Sequence, residues 1–267
     1  MKEPFRARLF GYRASARPFD VRFSRNLDGV DLADIDGAFR LCVSPKALSD
    51  IRFHFQENGE AVEEMRALIR IAREIGGVFF DVGAFHGIFA LIFCSLREEN
   101  TAFCFEPSKP ALEEAARLRQ LNGLEDRIEF MEVGIGRDSH EAAAWVDDLG
   151  FARFEQLPEL QSSRTVQVTT LDDVITNGAP IPSVIKIDVE GAEHEVLLGA
   201  RELLARHHPV LMLELHLDIM ERRSQPPCET VNMLTSLGYR FQDLAGKEMR
   251  ARDTYDVPLA IHRVIAV

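Results

Sequence analysis

Two glycines and two carboxylates in the first half of the chain have the spacing of a nucleoside-binding site. Gly83 and Gly87 follow the apolar run that ends at Asp81, and they permit a tight strand-to-helix turn with close approach of a ligand to the backbone. Glu106 ends the next apolar run, 25 residues after Asp81. An acidic residue at that place in a doubly wound fold binds ribose hydroxyls. Together these residues predict a cofactor that contains adenosine.

The charge of this turn favours one adenosine cofactor over another. A dinucleotide carries a pyrophosphate, which is typically bound by a G-x-G-x-x-G turn at a helix N-terminus. Here Asp81 stands before the first glycine, and a carboxylate at that point suits a cationic ligand. S-adenosylmethionine (S-adenosyl-L-methionine) carries an ammonium and a sulfonium group and no phosphate. The turn together with Glu106 therefore fits this cofactor better than NAD.

Charged side chains also stand in two apolar runs of the second half, where burial of an unpaired charge is costly. Lys186 and Asp188 share one face of the first run, and Glu214 and His216 share one face of the second. Lys186 is interpreted as a structural partner of Asp188 or Glu214. Because imidazole titrates near neutral pH, His216 is predicted to be a general base, with Asp188 and Glu214 as orienting partners. Glu190 is assigned to the same catalytic group.

Apolar runs alternate with helical patterns from residue 78 onward, which predicts an α/β fold with a doubly wound, mostly parallel sheet. The expected strands are 78–82, 102–106, 127–133, 183–189 and 209–216. The expected helices are 60–75, 86–97, 110–121, 194–207 and 229–237. The last two apolar runs, 239–243 and 259–267, have no helix between them, so the last strand is expected to be reversed.

Composition excludes several classes of protein. The chain has 267 residues and a formal charge of −12, from 31 Lys and Arg against 43 Asp and Glu, which disfavours nucleic-acid binding. Residues 1–25 are an exception, since they hold seven basic groups. The four cysteines form no C-x-x-C pair, so no metal site and no disulfide is predicted. The longest apolar stretch, 88–94, is too short to span a membrane, and a soluble, cytoplasmic protein is expected.

Three segments resemble the FkbM family of S-adenosylmethionine-dependent methyltransferases. They are FDVGAFHG, FEPSKPALEEAARLRQLNGLEDRIEF and IKIDVEGAEHEVLLGARELLARHHPVLMLELH, within residues 60–216. The resemblance implies the Rossmann-like class I methyltransferase fold, in which a seven-stranded sheet has a reversed last strand. It also implies methylation of a hydroxyl on a sugar, glycan, secondary metabolite or other small molecule.

The resemblance implies roles for individual residues. The turn, the ribose contact and the adenine contact are expected from Asp81, Gly83, Ala84, Phe85, His86, Gly87, Glu106, Pro107, Glu132, Val133 and Gly134. Asp188 and Glu190 are expected between methyl donor and acceptor. At Phe85 the chain departs from the family, which usually has Asn after Gly-Ala, so an aromatic ring replaces a polar group near the methionine end of the cofactor.

The expected organisation is an N-terminal extension over residues 1–59, read as irregular polar sequence and a possible substrate cap. An S-adenosylmethionine-dependent methyltransferase domain is expected over residues 60–267, with a hairpin inserted at about 142–170. The oligomeric state is left open, and a homo-oligomer is compatible with the sequence.

Two other functions are considered. A nicotinamide-dependent oxidoreductase of the short-chain type needs a Tyr-x-x-x-Lys pair, but Tyr12, Tyr239 and Tyr255 have no lysine four places later. A non-catalytic binding protein that retains the methyltransferase fold is the second alternative, and Phe85 motivates it.

Overall fold

The computed structural model describes residues 19–25, 30–37, 39–146, 152–153, 163–258 and 260–267. Most of the basic N-terminal arm, residues 1–18, lies outside these ranges. None of the described helices combines the length and the apolar character needed to cross a bilayer.

The strands are β1 (Val21–Arg25), β2 (Asp31–Ile35), β3 (Phe39–Val43), β4 (Val78–Val82), β5 (Thr101–Phe105), β6 (Ile128–Met131), β7 (Gly134–Ile135), β8 (His140–Val146), β9 (Ala152–Arg153), β10 (Ser163–Thr169), β11 (Val184–Ile187), β12 (Val210–His216), β13 (Phe241–Gln242), β14 (Glu248–Met249) and β15 (Ile261–Ala266). The α-helices are α1 (Leu48–Arg52), α2 (Gly59–Glu74), α3 (Ile88–Ser95), α4 (Lys109–Leu121), α5 (Leu171–Thr176), α6 (Glu193–Leu198), α7 (Arg201–His207), α8 (Leu217–Arg222) and α9 (Pro227–Ser236). A π-helical turn follows α1 at Phe53–Glu57, and a 3-10 turn lies at Ala251–Thr254.

The main sheet has the strand order β14-β13-β15-β12-β11-β4-β5-β6. Strands β6, β5, β4, β11 and β12 are parallel, and β15 runs antiparallel to β12. The predicted fold class, a mostly parallel sheet with a reversed last strand, is confirmed. The sheet has eight strands and not seven, because the two-residue strand β14 pairs with β13 at the edge.

Helices cover both faces of this sheet, and the sequence of β4 shows why. Phe79 and Phe80 are adjacent and both 0% exposed, so their side chains enter opposite faces. Phe79 stacks on Phe93 of α3, with ring centroids 4.8 Å apart. Phe80 belongs to the second apolar core, which includes Leu197 of α6. A strand that is buried on both faces needs no polar alternation, which explains the continuous apolar runs.

The parallel arrangement brings distant residues to one edge. Strands β4, β5, β11 and β12 end at Val82, Phe105, Ile187 and His216. The predicted turn follows β4, Glu106 follows β5, and Asp188 follows β11. All the chemistry-bearing segments therefore meet at the carboxyl edge of the sheet, where ligands bind in folds of this type.

The N-terminal part of the chain is not irregular, contrary to the expectation. Strands β1, β2 and β3 form a three-stranded antiparallel sheet. Alternate residues of β2 (Asp31, Ala33 and Ile35) are buried, but the sequence DLADI places Asp at a buried position and Leu at an outward one, so no apolar period of two could be recognised. Asn122 of α4 joins this sheet to the rest of the chain, because its side chain exchanges two 2.8 Å hydrogen bonds with the backbone of Cys42.

Three other expectations need correction. The single helix predicted over 194–207 is two helices, α6 and α7, because the chain breaks at Gly199 and Ala200. The inserted hairpin is present as β8 and β10, but it belongs to a four-stranded sheet of order β7-β10-β8-β9. Helix α8 was not predicted, since it has only six residues directly after a strand.

Candidate functional site

The turn after β4 brings its backbone close to the end of β5. The amides of Gly83 and Ala84 donate to the Phe105 carbonyl oxygen at 2.9 and 3.3 Å, and Gly87 donates to Ala84 at 2.7 Å. Gly83 has a φ of 80° and Gly87 a φ of 70°, which glycine adopts without steric cost. The predicted tight turn is therefore present, and α3 begins directly after it.

Phe85 and His86 lie between those glycines. Phe85 has a φ of 47°, a value that a non-glycine residue rarely adopts. The two rings stack, with centroids 3.8 Å apart and an interplanar angle of 28°. His86 is 3% exposed, and its Nδ1 lies 2.5 Å from Oδ2 of Asp50 in α1. Asp50 was not predicted as a site residue, because nothing in the sequence pairs residues 36 positions apart.

Glu106 follows β5, where the sequence predicts a ribose ligand. Its Oε2 accepts a hydrogen bond from the Phe85 amide at 3.0 Å, and its Oε1 accepts one from the Ser108 amide at 2.8 Å. Burial raises the pKa of Glu106 to about 7, against the lowering effect of the two amides. A carboxylate oxygen has a second lone pair, so each oxygen of Glu106 can accept one more hydrogen bond.

Asp81 is buried within β4, 1% exposed, and lies in register with Lys186 of β11. Its Oδ2 has no hydrogen-bond partner among the residues that the structure describes. Burial raises the pKa of Asp81 to about 7, although the charge of Lys186 lowers it. A buried carboxylate oxygen without a partner is costly, so this position suits a ligand that donates to it.

Lys186 is the buried cation of the site. Its Nζ donates to Oδ2 of Asp188 at 2.7 Å and lies 4.3 Å from the ring centroid of Phe89. Of the two partners predicted for Lys186, Asp188 and Glu214, the structure shows the hydrogen-bonded ion pair with Asp188. Burial lowers the pKa of Lys186, but the charges of Asp188, Glu64 and Glu214 outweigh burial and raise it. Lys186 is therefore cationic at neutral pH and neutralises Asp188.

Glu214 is paired with Arg263, which sequence reasoning missed. Two nitrogens of Arg263 contact the two carboxylate oxygens of Glu214, at 2.7 and 3.0 Å, and Arg263 also contacts Glu64 at 3.1 Å. Residues 214 and 263 lie opposite each other in the antiparallel pair β12 and β15. The pairing thus depends on strand register, which no sequence pattern showed. Burial and the charges of Asp188 and Glu64 raise the pKa of Glu214 to about 8, although Lys186 and Arg263 lower it.

His216 ends β12 and contacts several carboxylates. Its Nδ1 lies 2.8 Å from Oε1 of Glu193, and its Nε2 lies 3.8 Å from Glu190 and 3.9 Å from Glu214. Burial lowers the pKa of His216, but the hydrogen bond and charge of Glu193, with the charges of Asp188 and Glu190, raise it to about 9. His216 is therefore protonated at neutral pH before any ligand binds. Glu193 was quoted in the motif but given no role, although it is 0% exposed.

A cavity that opens to solvent, with about 630 Å³ of empty space when the open part is included, lies at the carboxyl ends of β4, β5 and β11. Seven predicted site residues line it, namely Gly83, Phe85, Glu106, Pro107, Gly134, Asp188 and Glu190. Three of these are acidic, and no Lys, Arg or His is among the described residues of its wall. The described lining does not include six other predicted site residues, namely Asp81, Ala84, His86, Gly87, Glu214 and His216. Glu132 and Val133 do not line it either, and Glu132 forms an ion pair with Arg164 of β10.

A second, more open cavity of about 900 Å³ adjoins the first, since Ile135 lines both. Its wall includes Arg137, Glu195 and Gln225. Oε1 of Glu195 accepts from Nε2 of Gln225 at 2.8 Å, and Oε2 of Glu195 lies 3.1 Å from Nε of Arg137. Oε1 of Gln225 is buried and has no partner within the described part of the chain.

One group of side chains has the composition of a metal site. Asp188, Glu214 and His216 each offer a ligand atom, and these atoms lie within 4.8 Å of one another. Lys186 already binds Asp188, and Arg263 already binds both oxygens of Glu214. The carboxylates are thus neutralised by the chain itself.

Comparison with known protein families matches residues 81–241 to the methyltransferase FkbM domain. The chain belongs to the FkbM methyltransferase family. The match covers the turn after β4, Glu106, the Asp188 segment and His216, and it excludes Asp50, Glu64 and Arg263. The predicted family is confirmed.

Relatives are found in sequence and in structure. The 2-O-methyltransferase NoeI of Sinorhizobium fredii is 31% identical over 185 residues, which cover 60% of this chain and 74% of that protein. The crystal structure of methyltransferase FkbM from Methylobacillus flagellatus KT is 16% identical, with a TM-score of 0.47, and covers 72% of this chain. The match spans 43% of that chain, less than half of its length. An O-methyltransferase from Bacillus cereus, solved in complex with SAH, is 11% identical, with a TM-score of 0.47. That match covers 83% of the chain described here and 85% of the Bacillus cereus chain.

Proposed function

We propose that this FkbM-family protein is an S-adenosylmethionine-dependent O-methyltransferase that acts on a hydroxyl of a sugar, glycan or other small molecule. The observation that carries the proposal is the charge of the 630 Å³ cavity, where Glu106, Asp188 and Glu190 stand without a basic residue among the described lining. Such a wall favours a cation and repels a pyrophosphate. A sulfonium cofactor therefore fits, and a nicotinamide dinucleotide does not.

Asp81 supports the same cofactor. Its carboxylate is buried two residues before Gly83 of the turn where the methionine end is expected, so it would attract the ammonium group through its charge and not through a direct contact. The ligand's positive charge would also offset the buried carboxylate of Asp81, because Lys186, the described cation in register with it, already binds Asp188. Binding of a cation thus removes a cost that the cofactor-free protein bears.

Glu106 supports the nucleoside part of the proposal. Its carboxylate is fixed by the amides of Phe85 and Ser108, and the remaining lone pairs can accept from two ribose hydroxyls. Gly134, Ile135 and Val189 give the same cavity an apolar portion in which a purine ring can lie. The cofactor, once bound, supplies an electrophilic methyl group.

His216 is the residue that we assign to the proton of the acceptor hydroxyl. Glu193 fixes its Nδ1, so Nε2 is directed toward Glu190, which lines the cavity. His216 is protonated at neutral pH in the resting protein, so it accepts a proton only after it has lost one. Asp188, held by Lys186, and Glu190 contribute negative charge beside it.

The acceptor is assigned to the adjoining cavity of about 900 Å³. The buried Oε1 of Gln225 lacks a donor there, and a hydroxyl supplies one. The mixture of charged and small apolar residues in this wall suits an uncharged polar molecule better than a lipid. The relative NoeI is named a 2-O-methyltransferase, which supports oxygen as the methylated atom.

Calorimetric titration with S-adenosylmethionine, and separately with NAD(H), tests the cofactor. We expect saturable binding of S-adenosylmethionine that Asp81→Ala and Glu106→Ala both weaken. Binding of NAD(H) instead would restore the oxidoreductase alternative. Binding without release of S-adenosylhomocysteine across a panel of hydroxyl-bearing acceptors would favour the non-catalytic alternative that Phe85 motivates.

A further inference from the structure

A helix that lies outside the family match contacts the cofactor turn. Oδ2 of Asp50 in α1 lies 2.5 Å from Nδ1 of His86, whose ring is 3% exposed. Nε2 of His86 is buried and has no hydrogen-bond partner among the described residues. Asp50 therefore makes the described hydrogen bond that fixes the orientation of this imidazole.

His86 is linked to Glu106 through Phe85. The His86 ring stacks on the ring of Phe85, and the Phe85 amide donates to Oε2 of Glu106 at 3.0 Å. Phe85 has a φ of 47°, a strained value that persists only where surrounding contacts impose it. Asp50 acts on this strained residue through one intervening side chain. A change at Asp50 is thus expected to move the amide that orients the ribose-binding carboxylate.

The same N-terminal segment reaches the other side of the site. His54, in the π-helical turn after α1, packs edge-on against the ring of Phe89, with centroids 5.3 Å apart. Nζ of Lys186 lies 4.3 Å from the centroid of the same ring, and Lys186 binds Asp188. Residues 48–57 therefore contact the cofactor turn directly and are linked to the Lys186–Asp188 pair through Phe89.

The segment is also fixed at a distance from the site. Asn122 binds the backbone of Cys42 through two hydrogen bonds, and Ile51 and Phe55 are 0% exposed in the apolar core. Loss of the Asp50 carboxylate leaves these contacts in place. An effect of Asp50 on the site can therefore be separated from detachment of the segment.

We propose that Asp50 is a positioning residue of the cofactor site, so that the N-terminal segment completes a site whose ligand-binding residues lie within the family domain. The inference rests on the proposed function, because the ligand in question is S-adenosylmethionine. Asp50 is not among the described residues that line the cavity, and it acts through His86.

The test compares Asp50→Ala with Ser49→Ala, its neighbour in α1, which is exposed and whose hydroxyl donates to the Lys46 carbonyl at 3.1 Å. Titration with S-adenosylmethionine is expected to show a Kd raised about tenfold for Asp50→Ala, the effect of losing one charge-assisted hydrogen bond. Ser49→Ala is expected to match the wild type. Asp50→Asn retains an acceptor for Nδ1–H and is expected to restore most of the affinity, which a merely structural loss would not predict.

A second readout needs no cofactor. Amide hydrogen exchange of residues 83–88 is expected to become faster in Asp50→Ala and to stay unchanged in α4. His86→Asn is expected to give the same change, and the double variant is expected to add little to either single one. Unchanged exchange together with a Kd within twofold of the wild type would overturn the inference. If the wild type binds no S-adenosylmethionine while exchange responds to Asp50→Ala, the proposed function fails and the positioning role stands.

Discussion

The backbone of Gly83 packs directly against the backbone of Asp188. A Cβ added at Gly83 would overlap the Asp188 carbonyl oxygen, and the φ of Gly83 is 80°. The Asp188 amide in turn donates to the Val82 carbonyl oxygen at 3.0 Å. The turn that is expected to hold the methionine end and the segment beside the acceptor are thus one rigid unit, although they are about a hundred residues apart in sequence.

Gly83→Ala tests this contact. The new methyl group meets backbone and not a flexible side chain, so it can be accommodated only by separation of β4 and β11. We expect a loss of at least about 3 kcal/mol in the free energy of unfolding and loss of S-adenosylmethionine binding. Chemical denaturation and calorimetry measure the two effects.

Gly123→Ala is the matched control for the backbone conformation. Gly123 has a φ of 63°, but nothing lies within 4 Å of a Cβ at that position. We expect it to cost only about 1 kcal/mol and to leave cofactor affinity unchanged. Equal effects of the two substitutions would show that the positive φ, and not the contact with Asp188, determines the need for glycine.

Asp81→Asn is expected to stabilise the protein and to weaken its cofactor binding. The folded state holds the pKa of Asp81 at about 7, above the usual 3.8, because of burial. The folded protein therefore favours protonated Asp81 more than the unfolded chain does. The resulting loss in the free energy of unfolding grows as the pH rises from about 4 to 7. Above pH 7 we expect Asn to raise the free energy of unfolding by roughly 1–3 kcal/mol, and to raise the Kd for S-adenosylmethionine at least about tenfold.

Denaturation of both proteins between pH 5 and 8, with calorimetry at pH 8, measures these effects. The stability difference should shrink toward the acid end, where Asp81 is protonated. Asp126→Asn, at an exposed position, should show neither change. An Asp81→Asn protein that binds the cofactor as the wild type does would remove Asp81 from the site.

The fold was largely predictable because its central strands are buried on both faces. The runs around Phe79 and Phe80, and around Ile185 and Ile187, are apolar without interruption, and the helices between them carry clear start signals such as Ser108 at α4. Strands β1 to β3 were missed because each has only five residues, and because β2 buries Asp31 while Leu32 is only partly buried. Short strands of this kind form because of the residues that pack on them. Those tertiary contacts cannot be recognised from the sequence.

The site was predictable only in part, for a related reason. Asp81, Glu106 and Asp188 could be found because each ends an apolar strand, and parallel strands end at one edge. Glu193 and Arg263 could not be found, because their partners His216 and Glu214 are set by a helix position and by the register of β15. The sequence shows which side chains are charged, but it does not show which of them form ion pairs.

Phe85→Asn tests the departure from the usual family residue. Asn adopts a positive φ more readily than Phe, and its amide places a polar group on a cavity wall that the Phe85 ring now forms. We expect S-adenosylmethionine to bind several-fold more tightly and stability to change by less than about 1 kcal/mol, since relief of strain offsets the lost ring stacking on His86. Ser224→Asn, at an exposed residue with a φ of 56°, should change neither quantity appreciably. Weaker binding by Phe85→Asn would show that the ring itself contacts the cofactor.

Glu193→Gln separates the charge of His216 from its position. Glu193 is expected to keep the wild-type pKa of His216 near 9, so turnover should rise with pH up to about 9 as the imidazolium loses its proton. The amide retains an acceptor for Nδ1–H but lacks the charge, so the pKa should fall toward 6.5 and the rising limb should move to lower pH by at least about one unit. NMR titration of the His216 ring measures this pKa without an acceptor, and the pH profile of turnover should follow it. Glu202→Gln, whose exposed carboxylate pairs with Arg206, should leave both unchanged. A rising limb that stays in place while the ring titration moves would assign the acceptor proton to a group other than His216.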